Sequence, residues 1–233
     1  MTLGFRDCKS ASGRNTLEPK IWRADRGTIE DVSYRVEDGR LFVDLNLERD
    51  DAVFVVLRGK AKKEYIRKET LVTEEVLSLS GWDVHFVPAI DSGNAADYHF
   101  DSLRPWNESE DPFLRFFSGT ATYKISFRLD PDQIASGIVL DLGQVFNMAH
   151  VYANGKDLGL LWKEPFRTDI SKALVGGDNT LEIKVTNSWS NRLIGDSALP
   201  VEERSAKTSW EFYSPDDPLP VSGLLGPVRI LSE

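Results

Sequence analysis

One cysteine in 233 residues, Cys8, leaves no partner for an intrachain disulfide, so cysteine usage does not fix the compartment. Histidine is nearly as scarce. His85, His99 and His150 lie far apart with no ligand spacing, and no C-x-x-C or H-E-x-x-H motif supplies a metal site. Basic charge is short as well: 28 Lys and Arg stand against 37 Asp and Glu, for a net charge of −9. That balance argues against a nucleic-acid partner, because phosphate binding needs clustered Lys and Arg. The densest basic run, residues 60–68 (KAKKEYIRK), is interrupted by Glu64 and reads as a solvated turn or helix face. No run of about 18 apolar residues exists, so no helix is long and apolar enough to span a membrane. The start, MTLGFRD, lacks the basic-then-apolar layout of a signal peptide, and the chain as written is expected in the cytoplasm. G-x-S-x-G, P-loop and G-x-G-x-x-G motifs are also missing, which removes the commonest hydrolase and nucleotide-binding signatures.

What remains is a globular composition, 41% hydrophobic and 28% charged, that can bury a core without staples. Period-2 alternation dominates, and no long amphipathic helix stands out. Val32, Tyr34 and Val36 alternate, Asp38-Gly39 turns, and Leu41, Val43, Leu45 and Leu47 alternate on the return. Asn154-Gly155 gives a second hairpin signal of the same kind, because a type I′ turn needs positive φ at both central positions. Residues 52–57 (AVFVVL) read as a strand covered on both faces. A charged stretch at 59–76, with a short helix expected near 64–75, marks a boundary between residues 1–68 and 69–233. Residues 89–112 and 187–222 read as long polar loops, and residues 169–174 as one helical turn. The fold class expected is all-β: a β-sandwich jelly roll preceded by a smaller β segment.

Candidate chemistry concentrates in the loops. Trp162, Trp189 and Trp210 fall at or near strand ends, with Asn147, Arg167, Asn187, Asn191 and Arg192 near in sequence. Sugar rings stack their C–H faces on aromatic rings, and their hydroxyls pair with amides, guanidinium groups and carboxylates. Taken singly, each tryptophan reads first as a core anchor. Glycoside hydrolysis needs two carboxyl groups at a set separation, and Glu164, Asp196 and Glu211 sit in aromatic-rich, loop-like surroundings. Asn187, Asn191 and Asp196 also offer oxygen donors of the kind a structural Ca²⁺ takes, at an unspecific spacing. No other cofactor is indicated.

Residues 138–196, including NGKDLGLLWKEPFRTDI and VTNSWSNRLIGD, resemble the C-terminal galactose-binding-like domain of glycoside hydrolase family 106, the α-L-rhamnosidases. The first portion is similar to the sugar-binding jelly rolls of family 2 glycosidases as well. FFSGTATYKISF at 116–127 and GPVRI at 226–230 fit the same pattern. Upstream, the FR at 5–6, the IW at 21–22 and AVFVVLR at 52–58 look like the preceding sandwich segment. The family's catalytic acid and base belong to a (β/α)₈-type domain that nothing here matches, so no catalytic residue carries over.

The resemblance implies a non-catalytic carbohydrate-binding or bracing module, with a catalytic domain upstream. Its expected ligand is a rhamnose- or galactose-containing plant polysaccharide. Relatives of this kind are periplasmic or secreted. Among the matching positions, Asn154-Gly155 makes the turn, Gly159 relieves crowding and Phe166 packs. Arg192 with Asp196 reads either as a structural ion pair or as ligand contacts. Two alternatives stay open: an autonomous small glycosidase using loop carboxylates, and a structural fragment that binds nothing.

Overall fold

The structure, a computed structural model, describes every residue except 7, 10–15, 69–73, 91–93, 135–136 and 233. The chain divides into two units, Met1–Thr70 and Leu71–Glu233.

The first unit holds two antiparallel sheets. One orders its strands Thr2–Phe5, Arg40–Asp44, Tyr34–Glu37 and Glu64–Tyr65; the other, Thr28–Asp31, Glu18–Arg23 and Val53–Arg58. Ile21, Tyr34, Leu41 and Val43 are buried together with Cys8, Val32 and Leu45. The Asp38-Gly39 turn has φ of 48° and 73°, the positive pair that a type I′ hairpin demands. Two expectations fail here. Among the described residues of 64–75 none is helical; residues 69–73 lie outside the described set. The flanks are strands instead, Glu64–Tyr65 and Glu74–Leu79. Helix-friendly Glu and Lys lose to cross-strand pairing: Tyr65 lies opposite Tyr34, and their rings stack at 6.1 Å. The apolar Val53–Arg58 strand is not covered on both faces either. It is the edge of a three-stranded sheet, and Phe54 is 64% exposed opposite Trp22.

The second unit is a β-sandwich. Its larger sheet orders Ala96–Phe100, Trp82–Pro88, Gly119–Leu129, Gly177–Thr186, Met148–Ala153 and Lys156–Leu161, all antiparallel. A second sheet orders Arg167–Asp169, Ile138–Asp141, Val228–Ser232 and Glu74–Leu79, and Gln144–Phe146 pairs with Gly223–Gly226. Alternation decides what goes inside. Trp82, Val84, Phe86, Ala121, Tyr123, Leu181, Ile183, Val185, Ala149 and Val151 point from the large sheet into one core with Ile138, Leu140, Val228 and Ile230. Each such aliphatic or aromatic side chain contributes about 1.5–3 kcal/mol when fully buried. Trp106 and Phe117 complete the core edge-on to Phe86, and Trp106 Nε1 donates to the Tyr123 hydroxyl at 2.7 Å. Burial pushes the Tyr123 phenol well above its ordinary value.

Asn154 and Gly155 have φ of 50° and 76°, as their hairpin requires. Asn154 does more than turn the chain. Its amide donates to Ala173 C=O and Asn179 Oδ1, and its Oδ1 accepts the Thr180 N–H. Residues 169–174 make their expected turn, with Ala173 and Leu174 N–H both donating to Ile170 C=O.

The two expected long loops are partly ordered elements. Residues 89–112 contain the edge strand Ala96–Phe100 and a 3₁₀ turn, Trp106–Glu108, followed by the short helix Pro112–Arg115. Residues 187–222 contain the helix Ser190–Ser197 and a 3₁₀ turn, Val201–Glu203. The edge strand reads as loop in the sequence because its outward residues are Asp97 and His99, leaving only Tyr98 and Phe100 to mark the inner face.

Candidate functional site

One rim of the large sheet gathers most of the residues singled out in the sequence. Ala149 pairs with Leu161 and Met148 with Thr186, so three neighbouring strands end at the same level. The chain leaves that edge as Trp162 on one strand and as Asn187-Ser188-Trp189 on the other. Trp162 is 51% exposed and Trp189 47%, beside an exposed Met148. The Lys163 ammonium lies 5.8 Å from the Trp162 ring centre. Helix Ser190–Ser197 follows Trp189 directly. The segment that carries Trp210 is tied back to this helix: Ala206 N–H donates to Asp196 Oδ2 at 2.7 Å, and Ser190 and Tyr213 share a hydroxyl contact at 3.0 Å. Trp210 is 70% exposed, as is Phe212. The core-anchor expectation for these three tryptophans therefore fails; Trp82 and Trp106 fill that role.

The polar candidates around them behave differently. Asn187 Oδ1 accepts the Gly119 N–H at 3.0 Å and its amide donates to Phe117 C=O at 2.8 Å, closing the end of the central strand. Asn191, 2% exposed, donates to Pro220 C=O and Ser222 Oγ. Arg192 pairs with the buried Asp196 at 3.5 Å, one helical turn apart, which makes this an internal tie. Arg167 lies on the other sheet and, with Arg229, donates to Oδ2 of the buried Asp141 at 2.9 and 3.2 Å. Gly143 N–H holds the second Asp141 oxygen. The amides and guanidinium groups thus hold loops, and the indole rings face outward.

The three candidate carboxylates fall in two different places. Glu164 is exposed beyond the rim strand. Asp196 and Glu211 line one crevice, but its volume is about 20 Å³. That is room for roughly one water, whereas ligand pockets run to about 300–1,000 Å³. Glu211 is drawn to Arg204 at 2.8 Å. Among the described residues, no group of three or more His, Cys, Asp or Glu side chains is arranged to hold a metal ion.

The solvent face of the large sheet carries a constellation that the sequence reading passed over. Two D-x-H triplets, Asp83-Val84-His85 and Asp97-Tyr98-His99, lie on adjacent antiparallel strands in a register that crosses them. His85 Nδ1 meets Asp97 at 2.7 Å, and His99 Nδ1 meets Asp83 at 2.8 Å. His150 and Asp157 pair likewise at 2.7 Å across the Asn154-Gly155 hairpin. The hydrogen bond that the His99 imidazole donates to Asp83 holds it above its ordinary value. The hydrogen bond that Asp157 accepts from His150 holds its carboxyl below its own ordinary value. Burial alone would raise Glu182, but hydrogen bonds from Lys124 and Lys184 outweigh it and keep that carboxyl low. The repeated D-x-H spacing, with aspartate and histidine two residues apart on each strand, was the legible signal.

No protein-family model matches the chain. A protein of Formosa agariphila, provisionally named a β-glucuronidase, is 36% identical over 199 residues, which is 75% of this chain and 17% of that protein. The solved structure of a rhamnosidase from Novosphingobium sp. PP1Y superposes over 99% of this chain at 37% identity and a TM-score of 0.82, covering 21% of that chain. The chain thus spans about a fifth of the length of the proteins it matches. The resemblance carried by residues 138–196, by 116–127 and 226–230, and upstream by 5–6, 21–22 and 52–58 holds: this is a β-sandwich module of glycoside-hydrolase kind, similar from end to end to a segment of a rhamnosidase.

Proposed function

We propose that this chain is an ancillary, non-catalytic module of a rhamnosidase-like glycoside hydrolase that holds polysaccharide against the rim of its large sheet. The observation that carries the reading is the division of labour at that rim. Trp162 and Trp189 expose their rings, while Asn187, Asn191 and Arg192 are tied into the fold. An exposed indole offers a flat apolar face to a sugar ring, and with two side-chain torsions it has little conformational freedom to lose. Trp210, on the segment tied to the same helix, extends the surface. The galactose-binding-like character of the module and a rhamnose- or galactose-containing plant polysaccharide as ligand belong to this proposal. So does a catalytic domain elsewhere in a longer protein, supported by the fifth of the relatives' length that the chain covers.

Calorimetric titration with rhamnose, galactose and pectic oligosaccharides tests it. Weak but saturable heat, with no release of free sugar, is the expected result. Absence of heat with every sugar would reduce the module to a brace. Turnover abolished by substituting a single carboxylate would contradict the non-catalytic reading.

A further inference from the structure

Two adjoining hollows of about 560 and 600 Å³ lie on the solvent face of the large sheet and share Asp83 and Lys124, so they form one trough. The trough crosses five strands, from Asp97 and His99 at one side to Tyr152 at the other. At about 4.8 Å between strands that is roughly 20 Å.

We propose that this trough is a second carbohydrate site, separate from the tryptophan rim, that takes a neutral oligosaccharide chiefly through hydrogen bonds. Three properties of its lining point there. First, donors and acceptors alternate across the strands and are already matched in pairs: His85 with Asp97, His99 with Asp83, and Lys124 and Lys184 with Glu182. A sugar hydroxyl both donates and accepts, so it can bridge such a pair without unbalancing charge. An anion would need a cation not already engaged, and both of these lysines sit on Glu182. Second, among the described residues none of the large exposed hydrophobic side chains lines the trough; its aromatic lining is Tyr98 and the half-buried Tyr152, a ring face that a sugar can stack on. Third, the cross-strand pairs hold the charged side chains in place, and Thr122, Ser126 and Thr180 set short hydroxyl groups between them. Pairing takes up part of the rotamer freedom that binding would otherwise remove.

The site stands independently of the rim. Chemical-shift mapping of the ¹⁵N-labelled full chain tests it, with a neutral galactotetraose as probe and a tetragalacturonate as the charged control. The backbone amides of Thr122, Ser126 and Thr180 report the trough, and the indole N–H groups of Trp162 and Trp189 report the rim. Saturable shifts of the trough amides with the neutral probe are expected, along with their loss in Ser126→Arg and Thr180→Arg while the rim shifts persist. Shifts confined to the indoles would overturn the trough and leave the rim reading intact. No trough shift at millimolar sugar, or a stronger response to the uronate, would also overturn it. The wild-type map decides the matter even where a variant fails to fold.

Discussion

At the rim of the large sheet, Asn187, Asn191 and Asp196 turn inward to backbone N–H and C=O groups. On the solvent face of the same sheet, Asp83, His85, Asp97 and His99 turn outward and bond only one another and neighbouring side chains. Backbone satisfaction separates the two regions. A strand's peptide groups are met by the ladder on either side, so its outward side chains remain free. A loop has no ladder, and its buried peptide groups must find partners among side chains. Amides in loops are therefore consumed by the fold more often than their chemistry suggests, and polar residues on a sheet face less often.

The sharpest break in that comparison is expected among the tryptophans. Trp106→Ala removes a ring that is 1% exposed and hydrogen-bonded to Tyr123, and should cost about 3–5 kcal/mol in denaturant unfolding. Trp189→Ala should stay within about 0.5 kcal/mol of the parent. Equal losses would return Trp189 to the core. Next comes Asn187→Ala, which strands the Gly119 N–H and the Phe117 C=O and should destabilise by about 1–3 kcal/mol. Ser126→Ala on the sheet face should change unfolding by no more than about 0.5 kcal/mol. A silent Asn187 variant would show that the rim amides are free for a ligand after all.

The smallest effect concerns pH. His99 titrates above its unfolded value of about 6.5 because Asp83 bonds the imidazole. A raised folded-state value means the pair's stabilisation is fully present below pH ~6.5 and fades as pH rises through the folded value. An NMR titration should place His99 above ~6.5 and bring it back toward that value in Asp83→Asn. An unchanged midpoint in that variant would show the pair to be inert.

Much of the fold was legible. Asp38-Gly39 and Asn154-Gly155 announced their hairpins because few dipeptides take two positive φ angles in succession. Alternation at Ala121, Tyr123 and Ile125 marked the central strand. The edge strand Ala96–Phe100 and the helix Ser190–Ser197 were not legible. The strand's alternation runs for only five residues inside an Asp-, Ser- and Asn-rich stretch, and that helix is held by Arg192–Asp196 and by ties to neighbouring loops more than by an apolar stripe. The 52–57 run misled because apolar content does not say which face is covered, and Phe54 lies on the open one.

The candidate site was half legible. Trp162, Trp189 and Trp210 were named for their ring chemistry, but residue type could not tell an exposed indole from a buried one. The amides beside them were named for the chemistry that the fold consumes. The D-x-H crossing depended on register, which only the paired strands reveal.

The central claim is that exposed indoles at the rim, and not the amides around them, hold the polysaccharide. Titration calorimetry of a Trp162→Ala, Trp189→Ala double variant, using the sugar that gives heat with the parent, tests this most directly. Affinity should fall by about tenfold or more, at least ~1.4 kcal/mol, with the melting temperature unchanged. Undiminished affinity, or a variant that unfolds, would contradict it.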